Sequence, residues 1–468
     1  MAVEIHFLPN LRALTIDTTF RRRLRPKGYL APPAYLTKDL REKASRLRAD
    51  GRELVADNGL FDDVGNLAEA FGQDSKAIET ALEARSKALG RPVRGTDLDA
   101  RTRNAITTLA RNAGAATAGV DAEAGLAGQM AISPTAVIGV EDITAALWLR
   151  LGLDGRVLSD KRAELRRRNR SVARRAIRVV QSGAANGARY HAVASAVDYD
   201  SAFDAGREFA AAGLTAAAMG FGAYMANDYS IDTAKVGGRI RTLPATMPLR
   251  YVGTALAARG FWDGWRAEGR TGPKAFHFLG LGQPIMMALA ALAARSTTLL
   301  TFDATSPILD AAQGFVYVSK PAYLKIRTWR AAQRLASDAS ERWRCPCGFC
   351  RAFSATYPFD YDAGVAWFAG RTKVEPKDLL GRRSLSNAYP LLSTSTGDRG
   401  RAVEFARVGH NHWALEQISA DLRDNSRTRS PLESFVKSVV TDYEASTESD
   451  WFGRAVRFSF DVARGAWP

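Results

Sequence analysis

Three cysteines, Cys345, Cys347 and Cys350, stand within WRCPCGFCRAF (343–353), and the chain has no others. Thiolates are good zinc ligands, and a structural zinc site takes four N or S donors in a tetrahedron, so this group is one ligand short. Of the five histidines only His410 and His412 follow the cysteines, in GHNHWALEQ (409–417) at a predicted helix start, and either one completes a Cys3His set. A site closed by four protein ligands braces a fold rather than catalyses. Clustering of all the thiols excludes a disulfide framework, and Cys-x-Cys-x-x-Cys is not a dithiol redox spacing.

A second set of residues is acidic, and each member follows an apolar, β-prone run: Asp57 after ELVA, Glu141 and Asp142 after AVIGV, Asp303 after LLTF. Carboxylates supply nucleophiles and general acids or bases. Gly220 and Gly222, after TAAAM, would let a ligand approach backbone amides closely, since no Cβ intervenes. Strand C-terminal ends are the face on which barrel enzymes build their sites.

The elements that must carry these residues are short continuous apolar runs, the pattern of strands buried on both faces in a parallel sheet. They fall at 3–9, 53–59, 135–142, 190–198, 214–222, 275–282, 297–303 and 314–319, and helical stretches alternate with them at 34–51, 76–89, 161–183 and 199–213. Such alternation predicts an α/β fold, a (β/α)8 barrel of TIM type, with a doubly wound sheet as the alternative. The barrel is expected over 1–340, a zinc-binding subdomain over 341–430 and a C-terminal extension over 431–468.

The 65 Lys and Arg outnumber the 49 Asp and Glu, for a formal charge of +16. That surplus favours a polyanionic partner, with nucleic acid first. The N-terminus lacks a secretory pattern. Two apolar runs, FAAAGLTAAAMGFGAYMA (209–226) and FLGLGQPIMMALAALAA (278–294), are too rich in Ala and Gly for membrane spans. A cytoplasmic protein without a membrane partner is the expectation.

Taken together, CPCGFC with a later helix beginning HN resembles the zinc site of the tRNA-guanine transglycosylase superfamily. VADNGLFDD (55–63) is similar to that family's Asp-Ser-Gly-Gly-Phe signature, FHFLGLGQP (276–284) to its glycine-rich stretch before a proline, and LLTFDATSP (299–307) to the segment of its nucleophile. The likeness runs as islands over roughly residues 50–425. Departures are a missing glycine in the first signature, Ala194 or Ser195 near the place of a base-reading glutamine, and a long interval between Cys350 and the histidine. This pattern looks like the branch that modifies DNA, the 7-deazaguanine DNA transglycosylases of bacterial and phage modification clusters.

The resemblance implies exchange of guanine in DNA for a 7-deazaguanine such as preQ0, with Asp303 as nucleophile and Asp57 as general acid and base. It implies Glu141 or Asp142 and the amides near Gly220 as base contacts, and Cys345, Cys347, Cys350 and His410, or His412, as structural zinc ligands. Its implied partners are DNA, single-stranded or with a flipped base, an ATPase or other member of a modification cluster, and a second copy of the chain. A divergent tRNA enzyme and a non-catalytic zinc-stabilised nucleic-acid-binding protein are the competing readings. His277, inside an apolar run, is expected to be a core histidine. Phosphate contacts are expected from FRRRLRPK (20–27), LRRRNR (165–170) with Arg174, Arg175 and Arg178, and GRR (381–383).

Overall fold

The computed structural model describes residues 3–32, 36–59, scattered positions between 80 and 108, 122–139, 141–150, 161–225, 229–338, 340, 343, 345–371, 381–388, 397–447 and 449–467. Most of the predicted 76–89 helix, the end of the first signature (60–63) and their surroundings lie outside the described residues.

Eight strands form one parallel sheet. They are β1 Glu4–Phe7, β2 Gly28–Ala31, β3 Glu53–Ala56, β4 Ala136–Ile138, β5 Arg189–Ala194 and β6 Ala216–Gly220, then β9 Ala275–Leu279 and β10 Leu299–Phe302 after a hairpin, β7 Ser230–Val236 with β8 Arg239–Pro248. Around the sheet the order is β2, β3, β4, β5, β6, β9, β10, β1. A parallel bridge between Asn10 and Leu30 brings the chain leaving β1 back to β2, and the sheet becomes a nearly closed barrel.

Alternation along the strands sorts the two faces. On β9, Phe276 and Phe278 belong to the large core that the helices cover, with the Trp262 ring 4.5 Å from that of Phe276. His277, between them, is in register with Ala218 on one side and Thr301 on the other. Ala218 packs in the inner cluster with Leu30, Val55, Ile138 and Val193, so His277 and Thr301 face the barrel interior.

Two sequence expectations are corrected. GYLA (28–31) is a barrel strand that was not expected. GFVYVS (314–319), expected as the eighth strand, instead supplies β11 Phe315–Tyr317, which pairs antiparallel with β12 Lys325–Arg327 outside the barrel. Val316 and Ile326 pack there in a small separate core with Trp367 and Phe368.

The predicted helices over 34–51, 161–183 and 199–213 appear as Lys38–Ala49, Arg162–Ser182 and Tyr199–Ala211. The last is fixed at its start by a capping box, in which Asp198 accepts from the Ser201 amide (2.8 Å) and Ser201 Oγ from the Asp198 amide (3.1 Å). The 209–226 run divides between the end of this helix, β6 and the short Gly222–Met225 helix; the 278–294 run divides between β9 and the Pro284–Ala293 helix, buried at every position. Among the described residues no helix is long and apolar enough to cross a membrane.

After β10 an insertion of β11, β12 and the helices Thr328–Ser337, Gly348–Thr356, Tyr361–Arg371 and Arg382–Ala388 precedes a helix of 29 residues, Gly397–Asn425. This long helix starts twelve residues before GHNH, which therefore lies in its interior and not at its start. Its Ala414, Leu415, Ile418 and Leu422, with apolar residues of the Arg429–Ser446 and Asp450–Arg464 helices, complete the core around the barrel.

Candidate active site and metal centre

At the end of β10, Asp303 is only 6% exposed. Its Oδ1 lies 3.1 Å from His277 Nε2 and accepts the Gly280 amide at 3.1 Å. His277 Nδ1 is 2.7 Å from Thr301 Oγ1. A carboxylate only accepts, so in a neutral ring Asp303 selects the tautomer with Nε2–H toward it, and Nδ1 is left as the acceptor facing the Thr301 hydroxyl. Two donors on Oδ1 leave Oδ2 without a hydrogen-bond partner among the described residues. The expectation that His277 is merely a core histidine is therefore incomplete: it is fully buried, and it orients Asp303.

Gly280 has two reasons to be glycine. Its φ of 72° lies in the left-handed region, and a Cβ there would stand 3.0 Å from the Cα and N of Gly222. The adjoining Phe221 amide donates to Leu279 O at 2.8 Å, which fastens the ends of β6 and β9 together. Gly220, at the end of β6, has open space where a side chain would project.

Across the barrel mouth, with β1 and β2 between, Asp57 follows β3 and continues its pairing by donating its amide to Ala31 O at 3.1 Å. Asp57 Oδ1 accepts the Asn58 amide (2.9 Å), and Asn58 Nδ2 donates to Gly139 O (2.7 Å). Gln129 Nε2 reaches Asp57 O (2.8 Å), Ile138 O (2.8 Å) and Ala56 O (3.3 Å), binding the ends of β3 and β4. The sequence reading missed Gln129, since its carbonyl partners become neighbours only when the strands pair.

Glu141 and Asp142, left as alternatives by the sequence, have different surroundings. Asp142 is occupied: Oδ2 accepts Arg168 Nη1 at 2.5 Å, Oδ1 accepts the Thr144 amide at 3.0 Å, and its carbonyl accepts Ser195 Oγ at 2.6 Å. Ser195 and Asn169 also exchange backbone and side-chain bonds, so Ser195 is spent on holding this corner together. Glu141 is buried, and among the described residues no cation pairs with it. Burial, and then the charges of Asp57 and Asp142, push its pKa up to about 8.

The cysteines meet one histidine. The Sγ atoms of Cys345, Cys347 and Cys350 lie 3.2, 3.7 and 3.7 Å from His410 Nδ1. All four ligand atoms are within 4.8 Å of one another, a spacing compatible with one metal ion at their centre. His410 Nε2 donates to Tyr317 O at 2.8 Å, which fixes the tautomer that leaves Nδ1 as the donor to a metal. His412, the other candidate, bonds through Nδ1 to Val408 O (2.8 Å) and packs its ring edge against Phe20 and Phe7. Burial lowers its pKa to about 4, and the metal group does not include it.

Gly409 passes so close to the Phe349 ring that a Cβ would lie 2.1 Å from Cδ1. Gly409→Ala is expected to cost about 1–3 kcal/mol through overpacking and to loosen the metal group, since Phe349 lies between Cys347 and Cys350. Thermal denaturation with metal analysis checks this; an unchanged melting temperature would contradict it.

The basic Arg162–Ser182 helix has a structural explanation for much of its charge. Arg162 pairs with Asp200 and Asp204, Arg166 and Arg170 with Glu208, and Arg168 with Asp142 and Glu164. Arg174 and Arg178 remain exposed on it, as do Arg382 and Arg383 at 381–383. In 20–27, Arg21, Arg22 and Arg23 occupy the last turn of the Thr18–Leu24 helix, where cations suit the helix C-terminus, and Arg23 lies 5.8 Å from the Phe349 ring centre. No family model matches the chain, and no curated protein matches it.

Proposed function

We propose that this chain is a guanine transglycosylase that exchanges guanine in DNA for a 7-deazaguanine such as preQ0, on a TIM-type barrel whose insertion is braced by zinc. The observation that carries the reading is the buried Asp303 carboxylate, oriented through Oδ1 by His277 and Gly280, at the same end of a parallel barrel as Asp57 and Glu141. The resemblance to the transglycosylases assigns the chemistry; the geometry supplies residues suited to it.

Exchange with retention calls for two inversions. Asp303 Oδ2 attacks C1′ of the target nucleotide, the C1′–N9 bond breaks, and its electron pair leaves with guanine, which takes a proton from Asp57. The incoming base then gives its ring N–H proton to Asp57, its nitrogen attacks C1′, and Asp303 is released. Within a duplex the nucleotide must first leave the stack. Zinc, held by Cys345, Cys347, Cys350 and His410, would take no part in these steps. Incubating the protein with DNA carrying labelled guanine and with preQ0 tests the reading: label release that requires preQ0 is expected, and no release from single- or double-stranded DNA would overturn it.

Glu141 provides a separate test. A guanine-like base presents N1–H and an exocyclic amine, donors that favour the ionised carboxylate. With its pKa at about 8, Glu141 is mostly protonated at neutral pH, so binding must displace a proton. Affinity for free preQ0 should therefore rise with pH, by up to about tenfold per unit below pH 8, and level off above. Titration calorimetry at several pH values should show this slope in the parent protein and its absence in Glu141→Gln; a slope that survives the substitution would exclude Glu141 from base contact.

A further inference from the structure

We infer that a phosphate group, free or borne by a small monoester, binds among Arg266, Arg270 and Arg295 at the end of the barrel opposite Asp303. The inference stands apart from base exchange and needs no part of that reading.

The fold sets the place. The Leu249–Ala267 helix ends in a loop that leads into β9, and the Pro284–Ala293 helix ends in one that leads into β10. Ser296 Oγ donates to Thr271 O at 2.7 Å and ties the two loops together. A pocket of about 350 Å³ lies there, lined by the three arginines, Thr271 and Ser296 and, among the described residues, by no carboxylate. Pockets of that size take small ligands.

The charge of this pocket is not used up within the molecule. Among the described residues no carboxylate pairs with Arg270 or Arg295, and Arg295 Nη1 bonds to carbonyls, Leu292 O at 3.1 Å and Ala463 O at 3.5 Å. Arg266 Nη2 has Asp263 Oδ1 at 2.9 Å, but the same carboxylate also takes Arg259 Nε at 2.7 Å and the Tyr199 hydroxyl at 2.8 Å. Two further carboxylates are committed elsewhere: Glu433 stands between Arg429 and Arg464, at 3.5 and 3.8 Å, and Glu268 is held by Arg207 at 3.0 Å. Burial and the neighbouring Arg429, Arg259 and Arg266 push the pKa of Arg295 down to about 10, as expected of crowded cations short of a counter-charge.

The two helix C-termini offset part of the surplus, each by about half an elementary charge. An excess of roughly two positive charges remains, which matches a phosphate dianion. Guanidiniums hold phosphate oxygens through paired hydrogen bonds. Three that line one pocket suit a single dense anion, whereas a strand needs cations spaced along a track. A phosphate bound there would join the loops that enter β9, which holds His277, and β10, which Asp303 follows.

The test is titration calorimetry of the full chain with inorganic phosphate, with ribose 5-phosphate and with a single-stranded DNA oligomer lacking terminal phosphates, all at one ionic strength. The parent should bind one small probe per chain. Arg270→Ala with Arg295→Gln should weaken that binding by about tenfold or more, while Arg174→Ala with Arg178→Ala, exposed on the 162–182 helix, should stay within about twofold of the parent. Arg295→Gln keeps a donor for Leu292 O; if the pair does not melt cooperatively, the exposed Arg270→Ala alone replaces it, with an expected loss of about threefold or more. The small probe bound more tightly identifies the ligand as free anion or monoester. A parent that binds neither small probe would overturn the inference, as would unchanged affinity in the pocket variants. So would an oligomer that needs these arginines and displaces both small probes, since the pocket would then serve a strand. Phosphate binding that depends on the pocket without any base exchange would defeat the transglycosylase reading alone.

Discussion

Asp303→Asn is expected to melt as the parent does and to lose base exchange by on the order of 10⁴-fold. The amide keeps the shape of the carboxylate and an oxygen for the Gly280 amide and His277, so the fold has no reason to change. What disappears is the anionic oxygen proposed to bond to C1′, and no other carboxylate among the described residues shares the end of β10. Intact-mass analysis under turnover should detect the DNA strand, less one guanine, attached to the parent and none on the variant. His277→Ala should cost less, on the order of 10²-fold, because a misdirected nucleophile still reacts. Its loss should fall on kcat with KM little changed, the signature of positioning rather than of binding. An Asp303→Asn protein with near-parent exchange would remove the nucleophile from the account.

The second large effect concerns the metal group. Cys347→Ala or His410→Ala should abolish metal binding, whereas His412→Ala should keep one ion per chain and lose only packing against Phe7 and Phe20. For small metal domains the binding free energy, on the order of 10 kcal/mol, is folding free energy. Here the ion would join the start of the Gly348–Thr356 helix to the middle of the Gly397–Asn425 helix. Its loss should therefore raise hydrogen exchange over 345–371 and 397–413 while the barrel strands stay protected. A chelator should reproduce the effect, and acid should favour it, because protonated thiols do not ligate. Equal metal content in the His410→Ala and parent proteins would contradict the assignment.

Much of the architecture is legible in runs such as TAVIGV and TTLLTF, whose continuous apolar character has no explanation except burial on both faces. GYLA was hidden because it is four residues long and lies between Pro26 and Pro32, where the residue types read as loop. GFVYVS misled for the opposite reason: its β composition is real, but composition does not say which sheet a strand joins. The hairpin of β7 and β8 escaped because its residues are mostly polar or half-exposed, although its Gly237-Gly238 turn is a visible signal.

The site divides in the same way. The strand-end places of Asp57, Asp303 and Glu141 were legible because strand ends are marked by abrupt changes of polarity. Choosing Glu141 over Asp142 required knowing that Arg168 reaches only the latter. His277 is separated from Asp303 by 26 residues, and their contact depends on the register that sets His277 beside Thr301. Register is a property of paired strands, so the orienting histidine looked like one more core residue. The choice of His410 over His412 depended likewise on which face of a long helix meets the cysteines.

The most direct measurement of the central claim is mass spectrometry of nucleosides from the DNA and the tRNA of cells that express the chain together with a supply of preQ0. A transglycosylase acting on DNA should leave a 7-deazaguanine deoxynucleoside in DNA that disappears with Asp303→Asn. A deazaguanine found in tRNA and never in DNA, or one that persists with Asp303→Asn, would contradict it.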